Sequence, residues 1–101
     1  MSDLNVVAVI TATSGSETEV RDALTELVTA TRSEKGSISY ELFESATAPG
    51  TFVTIERWSD QAAMDAHMQT DHVAAAFAAA EAHLSEAPAI HVLRPIASAR
   101  V

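Results

Sequence analysis

The chain contains no cysteine in its 101 residues, so disulfides, thiolate metal ligands and cysteine nucleophiles are excluded. Basic residues are also scarce. Six Lys and Arg stand against fourteen Asp and Glu, a net charge of −8, and the six are scattered as Arg21, Arg32, Lys35, Arg57, Arg94 and Arg100. Such a chain repels phosphate backbones, so neither nucleic acid nor an anionic membrane is an expected partner. No apolar run reaches bilayer length, and the first fifteen residues lack a basic start and a cleavage pattern, so a cytoplasmic protein is expected. With only three Gly and three Pro, low-complexity and disordered readings fail, while 48% hydrophobic residues suffice for one core in one domain spanning 1–101.

The order of elements follows from periodicity. Residues 4–13, LNVVAVITAT, are rich in β-branched side chains, with Val6, Ala8 and Ile10 on one face and Val7 and Val9 on the other, which predicts a strand buried on both sides. Ser14-Gly15 makes a turn, and Ser16 with Glu19 has the spacing of a capping box. Val20, Leu24, Leu27 and Val28 then form one apolar stripe of a helix, and Lys35-Gly36 suits its C-terminal end, glycine taking the left-handed cap conformation.

Residues 37–44 and TFVTIERW, on either side of the turn Ala46 to Gly50, predict an antiparallel hairpin. Tyr40 and Leu42 share a face with Ile38, opposite Ser39, Glu41 and Phe43. Ser59 or Asp60 caps a short helix to about Met68, Thr70 caps a second one, and the break falls near Gln69. Val73, Phe77, Ala80 and Leu84 are spaced as the core stripe of that helix, Pro88 follows its end, and 89–96 is the last strand. The order is βαββαβ, an α+β ferredoxin-like fold. Two helices cover one face of four strands, so the apolar second face calls for a partner surface, which a face-to-face homodimer supplies; the tail 97–101 is placed to reach that partner.

Functional side chains are densest between Glu56 and Phe77. His72 falls in the first turn after the Thr70 cap, where the positive end of the helix dipole favours a neutral imidazole able to act as a base, and His67, one turn before the break, is a comparable candidate. Glu56 lies on the parity of Phe52, Thr54 and Trp58, so it can orient a histidine or pair with Arg57, Arg94 or a partner chain. Trp58 and Tyr40 offer flat apolar surface with a polar edge, suited to an aromatic ligand or to a core. Phe77 and Leu84 read as core, and His83 and His91 as structural or surface residues. Two histidines five apart across a helix break do not share a helical face, and with no cysteine available a metal site is not expected.

The string Gly36-Ser-Ile-Ser-Tyr40-Glu-Leu42, followed by Pro49, Phe52, Glu56-Arg-Trp58-Ser-Asp, Ala62, His67 and Thr70-Asp-His72, resembles the antibiotic biosynthesis monooxygenase domain over nearly the whole chain. That resemblance implies a dimeric α+β barrel with a pocket between sheet and helices. It also implies cofactor-free oxygenation of a small phenol, quinol or anthrone by molecular oxygen, with no metal or flavin. On this reading His72, His67 and Glu56 are the catalytic candidates, and Trp58, Tyr40, Phe77 and Ala8 the substrate-contacting ones. Haem-degrading relatives carry an asparagine, a tryptophan and an iron-ligating histidine where this chain has Ala8, His67 and Phe77, so haem degradation is not expected. The alternatives are a binding module for an aromatic metabolite and a small-lactone isomerase.

Overall fold

The apolar stripe of α1 packs on one side of a single four-stranded sheet in the computed structural model, which describes residues 3–97. Strands β1 (Leu4–Thr11), β2 (Ser37–Glu44), β3 (Thr51–Trp58) and β4 (Ala89–Leu93) align in the order β2-β3-β1-β4, every neighbouring pair antiparallel. Helices α1 (Glu17–Thr31), α2 (Gln61–His67) and α3 (Asp71–Ala80) lie on one face, and a single 3-10 turn, Glu81–His83, follows α3. This is the ferredoxin-like α+β arrangement expected. Among the described residues no helix is long and apolar enough to cross a membrane.

The pleat sorts the side chains. Val6, Ala8 and Ile10 of β1 and Phe52, Thr54, Glu56 and Trp58 of β3 are buried under the helices, facing Val20, Leu24, Leu27 and Val28 of α1. The opposite face carries Val7, Val9, Val53, Ile55 and Phe43, of which Ile55 and Phe43 stay about half exposed at 49% and 51%. Ile38 leaves the expected alternation because the β2–β3 register shifts between Ser37 and Ser39.

Several local expectations are corrected. Ser16 does precede α1, but its hydroxyl makes no cap bond and instead meets His83 Nδ1 at 3.1 Å, so the capping box does not form. The helix survives because the stripe it buries contributes roughly 1.5–3 kcal/mol per large apolar side chain, against about 1 kcal/mol for a cap. It ends at Thr31, ahead of Lys35-Gly36, and Gly36 is not left-handed; positive φ occurs at Gly15 and Gly50. Leu84 falls outside α3 and bridges Ala12, with its side chain packed on the core. Phe77, read as core, is 40% exposed, because α3 buries Val73, Ala76 and Ala80 instead. The last strand stops at Leu93, not Ile96: its partner β1 runs out at Leu4, one residue beyond Asn5 opposite Leu93, and Pro95 lacks an N–H for the ladder. Of the tail 97–101, residues 98–101 lie outside the described residues.

Gly36 has a different task from the one its type suggested. A Cβ there would stand 2.2 Å from Ala63 Cβ and 3.0 Å from Ser59 Oγ, so glycine is what lets the turn after α1 press against α2. Gly36→Ala is therefore expected to destabilise the fold by about 1–3 kcal/mol in urea unfolding, and Ala63→Gly in the same chain to restore part of the loss. An undiminished unfolding midpoint in Gly36→Ala would show that this approach is not needed.

Candidate active site

Two polar clusters meet beneath the helices. The first belongs to β3. Alternation places Thr54, Glu56 and Trp58 on the buried face, and each oxygen of Glu56 is satisfied within the strand: Thr54 donates to Oε2 at 2.7 Å and Trp58 Nε1 donates to Oε1 at 2.9 Å. Glu56 orients no histidine, and neither Arg57 nor Arg94 is its partner; Arg57 pairs with Asp3 instead. A carboxylate 4% exposed is tolerable there because both oxygens receive hydrogen bonds.

The second cluster joins the turn after α1 to the end of α2 and the start of α3. After α1 the chain turns so that the Glu34 N–H bonds Thr31 O at 2.9 Å and the Glu34 carbonyl accepts from Ser37 N at 3.1 Å, while Arg32 donates to Tyr40 O at 3.3 and 3.2 Å. Across the helix break, Asp60 caps α2 through Ala63 N at 2.8 Å. Thr70 donates to His67 O at 2.7 Å and caps α3 by accepting from Val73 N at 3.3 Å. That reversal swings His72 back over His67. Both rings reach one atom, Glu34 Oε2, from His67 Nδ1 at 2.7 Å and His72 Nε2 at 2.5 Å. The spacing argument against a shared ligand pair does not hold, because the break supplies the rotation that a continuous helix would deny.

An ionised carboxylate oxygen only accepts, so the neutral rings present N–H at Nδ1 of His67 and at Nε2 of His72, which leaves the His67 lone pair on Nε2. His67, 3% exposed, is packed at a tilt among aromatics: its ring lies 4.6 Å from Trp58 and 5.5 Å from Tyr40, centroid to centroid. Tyr40 meets Trp58 edge-on at 6.2 Å. Burial, reinforced by the Glu56 and Glu34 carboxylates, pushes the Tyr40 phenol well above its ordinary value, so it remains an O–H donor.

A cavity of about 40 Å³ lies between sheet and helices, lined by Ala8, Tyr40, Thr54, Glu56 and His67 among others, with Phe77 and Pro88 at its rim. Phe77 and Pro88 also line an open cleft of about 680 Å³ between α3 and the segment before β4. Of the seven residues singled out in the sequence, Ala8, Tyr40, Glu56, His67 and Phe77 come together at the cavity. Trp58 stands behind His67, fully buried and not on the wall, and His72 lines the separate groove between α1 and α3. Glu34 was missed in the sequence: a glutamate in a turn carries no periodicity, and its partners lie 33 and 38 residues away.

The fold and this site define a ferredoxin-like α+β protein in which a buried imidazole, held by a partly exposed carboxylate, lines a helix-side cavity. The profile of a family described as antibiotic biosynthesis monooxygenase matches residues 4–79, and the chain belongs to that family. It is 46% identical over 46 residues to the protein named "Putative monooxygenase YcnE" of Bacillus subtilis, covering 46% of this chain and 48% of that protein, so the match spans about half of that relative's length. Rv0793 of Mycobacterium tuberculosis carries the same designation and is 35% identical over 77 residues, 76% of this chain and 75% of that one. Its solved structure superposes with a TM-score of 0.87 at 31% identity, covering 98% and 100% of the two chains. The crystal structure of PA3566 from Pseudomonas aeruginosa gives 0.88 at 31% identity, covering 96% and 97%.

Tyr40 is the chain's single tyrosine, so its ionisation can be read directly. The folded phenol titrates above the unfolded one, so the stability it contributes is fully present below about pH 10, where a free phenol ionises, and is lost as pH rises beyond that. The melting temperature is expected to fall on that alkaline limb and to fall less in Tyr40→Phe, with tyrosinate absorbance of the native protein delayed past the free-phenol range. Tyrosinate appearing at the free-phenol pH in folded protein would contradict the burial argument.

Proposed function

We propose that the protein is a cofactor-independent monooxygenase that oxidises a small phenolic, quinol or anthrone-like aromatic, with His67 as the base. The observation that carries this reading is the orientation of His67 by Glu34: with Nδ1–H held on the carboxylate, Nε2 is the acceptor nitrogen of a buried ring on the cavity wall. Such a pair assists proton removal as a carboxylate-held histidine does in other acid–base sites. His72 bonds the same Glu34 oxygen and acts through it, so of the two histidines it is the positioning residue.

Triplet oxygen reacts slowly with closed-shell molecules, yet an electron-rich phenolate or enolate can give it the first electron. On this reading His67 takes the acidic proton, the anion reduces oxygen, and the two radicals combine at carbon as a peroxide. Loss of water from that peroxide leaves a carbonyl: one oxygen atom enters the product, the other departs as water, and all electrons come from the substrate. The Tyr40 O–H, kept protonated by its burial, supplies a donor to the oxygen anion. The cavity alone is too small for an aromatic body, so the ring occupies the larger cleft with Phe77 and Pro88 at its edge, and its reacting atom reaches inward. Ala8 contributes an apolar floor.

Oxygen uptake by metal-free protein with a panel of quinols and anthrones tests this. His67→Ala is expected to lose about 10²–10⁴-fold in rate, and His72→Ala less. Uptake no faster than buffer, or undiminished in His67→Ala, sinks the reading; ligand-induced stabilisation without turnover would indicate a binding module, and product formed without oxygen an isomerase.

The same reading includes a homodimer. Val7, Val9, Val53, Ile55 and Phe43 form an apolar outer face that no element of the described chain covers, and a second copy of that face is its self-complementary partner. Sedimentation is expected to give twice the chain mass, and Ile55→Lys to shift the species toward the monomer. A wild-type monomer would remove the dimer from the proposal.

A further inference from the structure

We propose that Glu34, His67 and His72 form a binding site for a borderline divalent metal ion of the zinc class. Three donor atoms, Glu34 Oε2, His67 Nδ1 and His72 Nε2, lie within 4.8 Å of one another. The set is two imidazoles and one carboxylate, a combination that holds zinc in three-ligand sites and leaves a fourth position for water. Without thiolates, the soft-metal alternatives are disfavoured.

The geometry needs little adjustment. Metal–nitrogen and metal–oxygen bonds of about 2.0–2.2 Å at a tetrahedral centre set donors about 3.3 Å apart. The two nitrogens now stand 2.7 and 2.5 Å from Oε2, so the carboxylate must withdraw by under about 1 Å. Glu34 sits on a turn with its side chain 14% exposed, which permits that movement; His67 at 4% and His72 at 28% place the site at the edge of the core, reachable from the α1–α3 groove. Glu26 lines the same groove, and the net charge of −8 raises the local concentration of cations.

Binding reverses both tautomers. Each ring gives the lone pair of the nitrogen that had carried the proton to Glu34, and that proton passes through solvent to the ring's other nitrogen. His67 Nε2, an acceptor on the cavity wall in the metal-free protein, thereby becomes a donor. The metal-loaded state is thus one in which the cavity has lost its base, a consequence that rests on the proposed function; the binding itself does not.

Titration of chelator-treated protein with Zn²⁺ by calorimetry is expected to show one ion per chain, with affinity falling at least about tenfold in Glu34→Gln and in His72→Ala and unchanged in His83→Ala and His91→Ala. Ni²⁺ or Cu²⁺, whose open d shells quench fluorescence at contact range, is expected to quench Trp58, the only tryptophan and 4.6 Å from the His67 ring, in wild type but not in His72→Ala. His72 is partly exposed, so its loss leaves the core intact. Absence of Zn²⁺ uptake, uptake undiminished in His72→Ala, or uptake lost in His83→Ala or His91→Ala would overturn the proposal. Because no readout uses turnover, failure here and failure of the oxygenase reading are separately visible.

Discussion

A single carboxylate oxygen, Glu34 Oε2, ties together the segments that build this site. It stands on the turn between α1 and β2, and it receives His67 from the end of α2 and His72 from the start of α3. Removing it would leave two imidazole N–H groups without their acceptor, one of them inside the core, at a cost of roughly 1–3 kcal/mol for each truly buried group. The same turn holds Tyr40 through Arg32, and Gly36 brings it against Ala63. Ring positions at the cavity therefore depend on backbone that itself lies outside the cavity.

The other polar cluster, Glu56 with Thr54 and Trp58, solves a separate problem. A carboxylate among apolar neighbours has to be satisfied locally or paired with a cation, and here alternate residues of one strand do it without a cation. That leaves the Trp58 indole fixed as the backing of His67, so strand geometry on one side and the helix break on the other hold the imidazole between them. Side chains held on both sides reposition little when a ligand arrives, which is what acid–base chemistry at a chosen nitrogen needs.

The apolar outer face and the cavity sit on opposite sides of the sheet, so association through one would not obstruct the other. Phe77 illustrates the division of labour in α3. Its small neighbours Ala76 and Ala80 make the packing contact, which frees a large aromatic to stand at the mouth between cavity and cleft.

Period-two and helical patterns were enough to place β1, β2, β3 and both sides of the helix break, because apolar side chains at those spacings have only one way to leave water together. By the same logic the sequence by itself determined that Glu56 shares a face with Phe52, Thr54 and Trp58, while the β2–β3 register brought Tyr40 to that face and the helices buried it. Where patterns are short or local signals compete, it determined less: Ser16 chose His83 over its own helix, β4 ended with its partner strand, and Phe77 was displaced from the core by alanines. Tertiary structure alone decided that His67 and His72 converge on Glu34, that His72 faces a groove and not the cavity, and that Gly36 is needed for closeness and not for its φ. The reason is physical: each depends on the meeting of residues more than twenty positions apart, and such meetings are set by how helices settle on a twisted sheet, which leaves no period in the chain.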